Sequence, residues 1–125
     1  LDFFKAVNDT LGHAAGDHVL TRVADVLRAE TRKTDTVARV GGDEFVIILR
    51  GESAGESTRR MAERIIRELE RPILYGGESC HISGSIGVVL SSAYDMPAPE
   101  TLQADADEAT YAAKRAGRGR CVVHD

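Results

Sequence analysis

The sequence predicts an α+β sandwich in which helices pack on the faces of a mostly antiparallel sheet, of the ferredoxin-like or polymerase-palm-like kind. Segments with helical periodicity alternate along the chain with short apolar runs of strand length. Two of these runs, residues 36–40 and 44–50, are separated only by the Gly-Gly-Asp turn at residues 41–43, so they form an antiparallel hairpin near the centre of the chain. Carboxylates at neighbouring strand ends of such a fold can converge on a metal ion.

The composition describes one soluble domain. The chain has 125 residues, of which 42% are hydrophobic and 29% are charged, enough for a single core and too few for two. No apolar run approaches the roughly 18–20 residues that span a bilayer, and no signal peptide is recognisable, so a cytoplasmic location is expected. The formal net charge of −4 gives no reason to expect nucleic-acid binding. Cys80 and Cys121 lack a metal-ligand spacing and are expected to be buried thiols, with a disulfide as the alternative.

The first third of the chain predicts two helical segments around a polar loop. Residues 1–4 are interpreted as the end of a strand and residues 5–11 as a short helix. Residues 8–17 are polar and punctuated by glycine, which indicates a loop with helical pieces. From Asp17 the pattern is helical, and Asp17 is a candidate N-cap. The apolar face of that helix consists of Val19, Leu20, Val23, Val26 and Leu27.

The remainder of the chain predicts two more helices and three more extended segments. Ser53 and Glu56 fit a capping box before an amphipathic helix, which Pro72 ends. A short extended piece at 73–75 precedes a Gly-Gly turn, and one long strand is expected from Glu78 to about Leu90. Residues 102–116 then space a face of small residues that can pack close to a sheet. Gly117 ends that helix, and residues 120–123 form a final strand.

The tip of the central hairpin is the strongest candidate for chemistry. Gly41 and Gly42 allow a tight turn and carry no Cβ that would keep a ligand from the backbone. Asp43 and Glu44 follow at once, where phosphates or a divalent metal could be held. The same letters also suit an ordinary hairpin turn, so the tip alone leaves both interpretations open. A second feature is basic: Lys114, Arg115, Arg118 and Arg120 suit a local anionic ligand.

Several motifs occur together and in a fixed order: DFFKAVND at residues 2–9, GHAAGD at 12–17, RVGGDEF at 39–45, SIG at 85–87, ADEATYAAK at 106–114 and GR at 117–118. With these motifs the chain resembles the GGDEF domain of diguanylate cyclases over essentially its whole length. The family condenses two GTP into cyclic di-GMP and two pyrophosphates, with each subunit of a homodimer presenting one GTP. The resemblance implies Mg²⁺ (or Mn²⁺) as cofactor, a sensory or EAL-type domain attached to this one, and no membrane contact by this domain, even in a membrane-anchored protein.

The resemblance also assigns roles to individual residues. Asp43 is expected to bind metal and to help activate the 3′-hydroxyl, with Glu44 assisting and the Leu1 carbonyl as a further metal ligand. Lys5 is expected to face the phosphates. For GTP binding it implies guanine recognition by Asn8, His13 and Asp17, phosphate contact at Gly41 and Gly42, and triphosphate contact by Lys114 and Arg118.

Arg32 and Asp35 match the RxxD site that binds product cyclic di-GMP away from catalysis, although RxxD alone also describes a solvated helix end. The family usually has two acids at the first strand end, and only the second, Asp2, is present. Residues 1–125 are therefore expected to be one GGDEF domain cut from a larger multidomain protein, with its first strand largely missing. If the full protein has the first acid, the site is expected to be intact; without that acid, metal binding and turnover should be weak or absent. The alternative function is a non-catalytic GGDEF module that binds GTP or cyclic di-GMP and regulates an attached domain.

Overall fold

The computed structural model describes residues 1–51 and 55–124. The helices among them are α1 (Phe4–Leu11), α2 (His13–Glu30), α3 (Gly55–Leu69) and α4 (Pro99–Arg115), with a 3-10 turn at Ser91–Ala93. The strands are β1 (Thr36–Gly41), β2 (Glu44–Ile48), β3 (Ile73–Tyr75), β4 (Glu78–Cys80), β5 (Ile86–Val88) and β6 (Cys121–Val123). The predicted α+β class is confirmed.

The strands pair in three short ladders. β1 and β2 form the antiparallel hairpin that the sequence predicts, and β3 and β4 form a second one. β5 and β6 pair in parallel, which their separation by α4 permits. An isolated antiparallel bridge joins Asp2 to Ser83. The described strands therefore form three separate two-stranded sheets, two antiparallel and one parallel, in place of the one central sheet expected, and the hairpin tip belongs to an antiparallel one.

The core lies mainly between the helices and the second hairpin. Val19 and Val23 of α2 have no exposed surface, and α3 buries Ile65 and Leu69 against the same cluster. α1 adds Phe4 and Val7. Burial of one such aliphatic side chain contributes about 1.5–3 kcal/mol. The predicted apolar face of α2 therefore packs inward, and the amphipathic helix predicted before Pro72 is α3, which buries one face in the same way.

Helix α4 packs with its backbone close to β5. A Cβ placed on Gly87 would lie 2.3 Å from the carbonyl oxygen of Ala106 and 2.4 Å from the nitrogen of Thr110. Ala109 and Ala113 are buried in the same interface. The prediction of a small-residue helix face is confirmed, and this close packing fixes the end of α4 that bears Lys114.

Three predicted elements differ in the structure. Residues 1–4 contribute less to a strand than predicted, because Asp2 alone among them forms a bridge and α1 begins at Phe4. Helix α2 begins at His13 with Gly12 at its cap, so Asp17 lies one turn inside the helix and is not its N-cap. The long strand expected from Glu78 to Leu90 is divided into β4 and β5, since Ser83 between them pairs with Asp2 instead.

Three smaller expectations remain. The capping box of Ser53 with Glu56 depends on Ser53, which lies outside the described residues. Cys80 is a buried free thiol and Cys121 a half-buried one, so the disulfide alternative is wrong. None of the described helices has both the length and the apolar character needed to cross a bilayer.

Candidate active site

The tip of the β1–β2 hairpin is open and shaped by its glycines. Gly41 pairs with Glu44 after a register shift that begins at Arg39. Gly42 has a φ of 48°, in the left-handed region where a residue with a side chain is strained. A Cβ on either glycine would meet nothing within 4 Å, so the space beside the tip backbone is free among the described residues. The Nε of Arg39 donates to the Gly42 carbonyl at 2.8 Å and braces the turn.

The first residue of the chain lies directly against this tip. The backbone nitrogen of Leu1 donates to the carbonyl of Asp43 at 2.8 Å and lies 4.0 Å from the Asp43 carboxylate. The charged side chains of Asp2, Asp43, Glu44 and Lys114 all lie near this nitrogen.

The donor groups at this tip fit a divalent cation. The Asp43 carboxylate is 36% exposed, and the hydrogen bond from Leu1 uses the backbone carbonyl of Asp43 and leaves its carboxylate available. Leu1, whose nitrogen makes this contact, also supplies a backbone carbonyl oxygen, which is the further metal ligand expected from the sequence. Carboxylate and carbonyl oxygens are the hard ligands that Mg²⁺ and Mn²⁺ prefer. The residues present at the tip are therefore chemically suited to the expected metal.

Arg118 folds back from the turn after α4 and does not continue the helix. Gly117 donates to the carbonyl of Lys114 at 3.3 Å and Arg118 to that of Ala113 at 3.0 Å, the two bonds of a Schellman motif. Lys114, in the last helical turn, is half-buried, and the side chain of Arg118 is 51% exposed. The Nε of Arg118 lies 3.9 Å from Oδ1 of Asp2. The turn after α4 therefore places Arg118 beside Asp2, near the start of the chain.

The residues expected to read guanine lie on the α1–α2 pair. Asn8 is half-buried near the end of α1, while His13 and Asp17 are exposed one turn apart at the start of α2. Asn8 packs against Gly16 so closely that a Cβ there would lie 1.9 Å from the Asn8 Oδ1. Lys5 is exposed in the first turn of α1. The bend at Gly12 therefore places Asn8 beside the helical turn that contains His13 and Asp17.

Arg32 and Asp35 line a surface cavity of about 270 Å³ between the end of α2 and α3. The Asp35 side chain is only 1% exposed, and it accepts the backbone N–H of Arg32 at 2.8 Å and that of Arg50 at 3.1 Å. These bonds lower the pKa of Asp35. Arg32 donates to the carbonyl of Arg50 at 2.7 Å. The RxxD segment is therefore an ordered turn and not a solvated helix end.

Sequence reasoning missed two residues of these sites. Arg64 of α3 lines the cavity with Arg32, and its Nε lies 3.3 Å from Glu30. By its position along the helix, Arg64 is expected on a solvent-exposed face. Its neighbours in the sequence give no sign that it lies near Arg32, which is distant along the chain. Asp2 was recognised only as the second acid of a pair, whereas its carboxylate is buried and contacts Ser85, Arg118 and Gly119.

Comparison with known proteins agrees with these features. The family model described as "Diguanylate cyclase, GGDEF domain" matches residues 1–120. Diguanylate cyclase A of Treponema denticola is 43% identical over 124 residues, which is 98% of this chain and 33% of that protein. Diguanylate cyclase TpbB of Pseudomonas aeruginosa is 44% identical over 94% of this chain and 27% of its own length. The chain thus spans about a third or less of the curated relatives it matches.

Solved structures give the same result. The GGDEF domain of TpbB (YfiN) from Pseudomonas aeruginosa matches with a TM-score of 0.91 and 40% identity, over 99% of this chain and 72% of that one. The GGDEF domain of DgcB from Caulobacter crescentus, solved in complex with c-di-GMP, matches with a TM-score of 0.90 and 32% identity, over 98% and 72%. Over residues 1–120, this chain belongs to the GGDEF family of diguanylate cyclase domains.

Proposed function

We propose that this domain is the catalytic part of a diguanylate cyclase, which condenses two GTP into one cyclic di-GMP and two pyrophosphates. Two copies of the domain meet as a homodimer, each presenting one GTP to the other. The observation that carries the proposal is the open Gly41-Gly42-Asp43-Glu44 tip with Leu1 against it and the charge of Lys114 nearby. This combination provides acidic groups, unobstructed backbone and a cation within one site.

The residues of the tip and of α4 divide the chemistry between them. The triphosphate lies against the glycine backbone, where the missing Cβ atoms permit close approach. Lys114 and Arg118 contact its oxygens, and the planar fork of Arg118 suits two of them at once. Asp43 and Glu44 orient the attacking 3′-hydroxyl and accept its proton, and Lys5 stabilises negative charge on the leaving pyrophosphate.

Asp43 and the carbonyl of Leu1 are the groups that would hold Mg²⁺ or Mn²⁺ in this site. When bound, the metal lowers the pKa of the hydroxyl and neutralises phosphate charge. Guanine is read by Asn8 and Asp17, with His13 beside them. A carboxylate can accept the N1–H and N2–H of guanine, which adenine does not offer in the same pattern.

Product control is proposed at the cavity that contains Arg32. Its arginines Arg32, Arg60 and Arg64 offer planar donors to the phosphates and guanine edges of cyclic di-GMP. Asp35 fixes the turn that presents Arg32, since its carboxylate accepts two backbone N–H groups. DgcB, a structural relative, was solved with c-di-GMP. Product bound in this cavity acts on turnover indirectly, because the cavity residues are separate from those of the tip.

The second candidate is a non-catalytic module that binds GTP or cyclic di-GMP and regulates an attached sensory or EAL-type domain. Relatives such as MucR of Pseudomonas aeruginosa, a bifunctional diguanylate cyclase and cyclic di-GMP phosphodiesterase, combine both activities in one protein. The cytoplasm, where GTP is available, is the proposed location. The unaltered GGDEF tip favours the catalytic function over this alternative.

Asp43→Asn in the full-length protein tests the catalytic proposal. We expect cyclic di-GMP formation from GTP and Mg²⁺ to be abolished while the melting temperature barely changes, because the partly exposed carboxylate accepts no hydrogen bond from the described residues. Glu78→Gln is the matched control, since Glu78 also follows a Gly-Gly turn, at Gly76 and Gly77. Full activity in Asp43→Asn contradicts the proposed role. A wild-type protein that binds GTP without producing cyclic di-GMP supports the non-catalytic module.

A further inference from the structure

Asp2 is buried, and hydrogen bonds hold both its backbone and its side chain in place. Its backbone N–H donates to the Ser83 carbonyl at 2.8 Å, and its own carbonyl accepts the Ser83 N–H at 3.1 Å. Its Oδ2 accepts the Ser85 hydroxyl at 2.7 Å and the Gly119 backbone N–H at 3.1 Å. The side chain has no exposed surface. Its position is therefore fixed by the segment before β5 and by the turn after α4.

The second oxygen of this carboxylate is an anomaly. Oδ1 of Asp2 is buried and accepts no hydrogen bond from any residue that the structure describes. Leaving a buried charged group without a partner is costly, so such an atom calls for an explanation. The group facing it is the Nε of Arg118 at 3.9 Å, an ion pair just beyond hydrogen-bonding distance. The rest of the Arg118 side chain is half exposed and remains available to a ligand.

Arg118 is itself in an unusual conformation. Its φ is 64°, and apart from Phe3 it is the one non-glycine residue with positive φ in the described part of the chain. It is flanked by Gly117 and Gly119, whose φ values are 120° and 59°. Strained backbone of this kind persists only where surrounding contacts determine it. Here the contacts are the Schellman bonds to α4 on one side and the bond from Gly119 to Asp2 on the other.

We propose that Asp2 is a positioning residue that orients Arg118 toward the triphosphate. This inference rests on the proposed GTP-binding function of the tip. One carboxylate oxygen fixes the backbone turn through Gly119, and the other attracts the guanidinium by charge. An arginine oriented before the ligand arrives loses less rotamer freedom on binding, so the pair strengthens phosphate binding although Asp2 touches no substrate.

The role depends on the charge of Asp2 and not only on its shape. In Asp2→Asn the amide oxygen can still accept from Gly119 and Ser85, while the NH₂ group placed toward Arg118 is a donor and repels it. Ser85→Ala is the matched control. It removes one hydrogen bond to Oδ2 but leaves the negative charge beside Arg118.

The first measurement needs no nucleotide. The order of the Arg118 Nε–H bond is measured by ¹⁵N relaxation in the full-length protein and compared with that of Arg67, an exposed arginine of α3. We expect a clearly higher order parameter at Arg118, since its guanidinium is attracted to a buried carboxylate. Asp2→Asn should abolish that difference and Ser85→Ala should retain it. Equal order parameters at both arginines in the wild type overturn the inference, even if Asp2→Asn fails to fold.

The second measurement is a double-mutant cycle on Mg²⁺-GTP affinity, by calorimetry. We expect Asp2→Asn to weaken binding by roughly five- to tenfold, and to have no further effect in an Arg118→Ala background. Additive losses would mean that Asp2 acts only through the fold, and the inference is then wrong. Absence of GTP binding by the wild type contradicts the proposed function instead, and the measurement of order at Arg118 still decides the question for Asp2 and Arg118.

Discussion

Gly16→Ala separates guanine recognition from stability in this domain. Gly16 lies within α2, where alanine is the better helix former by about 0.5–1 kcal/mol. The substitution alone is therefore expected to raise the melting temperature by about 2–4 °C for a chain of this size. The added Cβ, however, would lie 1.9 Å from Oδ1 of Asn8 and 2.9 Å from its Cγ.

The size of the displacement follows from these distances. Nonbonded carbon and oxygen atoms approach to about 3.3 Å, so the Asn8 amide must move by about 1.4 Å or rotate away. The three nearest atoms all belong to the end of the flexible Asn8 side chain, so the backbone need not move. Loss of one hydrogen bond from Asn8 to guanine weakens binding by about 1–1.5 kcal/mol, or roughly tenfold.

The assay is calorimetric titration of Mg²⁺-GTP with wild type, Gly16→Ala, Asn8→Ala and the double variant, alongside thermal unfolding. We expect weaker GTP binding with an unchanged or higher melting temperature. In the Asn8→Ala background Gly16→Ala should still stabilise the fold but leave GTP affinity unaltered. Unchanged GTP affinity in Gly16→Ala refutes the reasoning, because the amide then contributes nothing from its observed position. A large loss of stability refutes it as well.

Three further predictions concern Asp17, Arg32 and Asp35. Asp17→Ala should remove the preference for GTP over ATP, which is worth about 2–3 kcal/mol if the guanine contact is desolvated. Asp25→Ala on the same helix should keep that preference, and competitive calorimetry measures both variants. Arg32→Ala should raise the inhibition constant of cyclic di-GMP by roughly tenfold or more with little change in turnover, whereas the control Arg67→Ala should leave the inhibition constant unchanged. If cyclic di-GMP instead competes with GTP, the inhibitory site is not at Arg32. The pKa of Asp35 lies below its ordinary value of 3.8, so its stabilising effect is complete above that pH and is lost as the pH falls through the folded pKa. The difference in melting temperature between wild type and Asp35→Asn should therefore narrow on acidification below pH 3.8, and a constant difference excludes this linkage.

The sequence by itself determined those helices and strands whose signals come from residues close together along the chain. Apolar residues at helical spacing predicted α2, α3 and α4, and the Gly-Gly turn predicted the β1–β2 hairpin, because both signals lie within a few residues. The ordered motifs predicted the family. They also named Asp43, Lys114 and Arg118, although the roles of these residues remain predictions.

Only the tertiary structure decided which distant segments meet. The bridge between Asp2 and Ser83 divides the expected long strand, and it joins residues far apart in sequence whose letters contain no mutual signal. The same holds for the bond from Gly119 to Asp2, across 117 positions, and for Arg64 beside the cavity of Arg32. Such pairings form because burial of the whole core brings the segments together, and their stability depends on the complete fold. The partners of Asp2 were therefore set by packing, whereas the hairpin tip was already specified by its own residues.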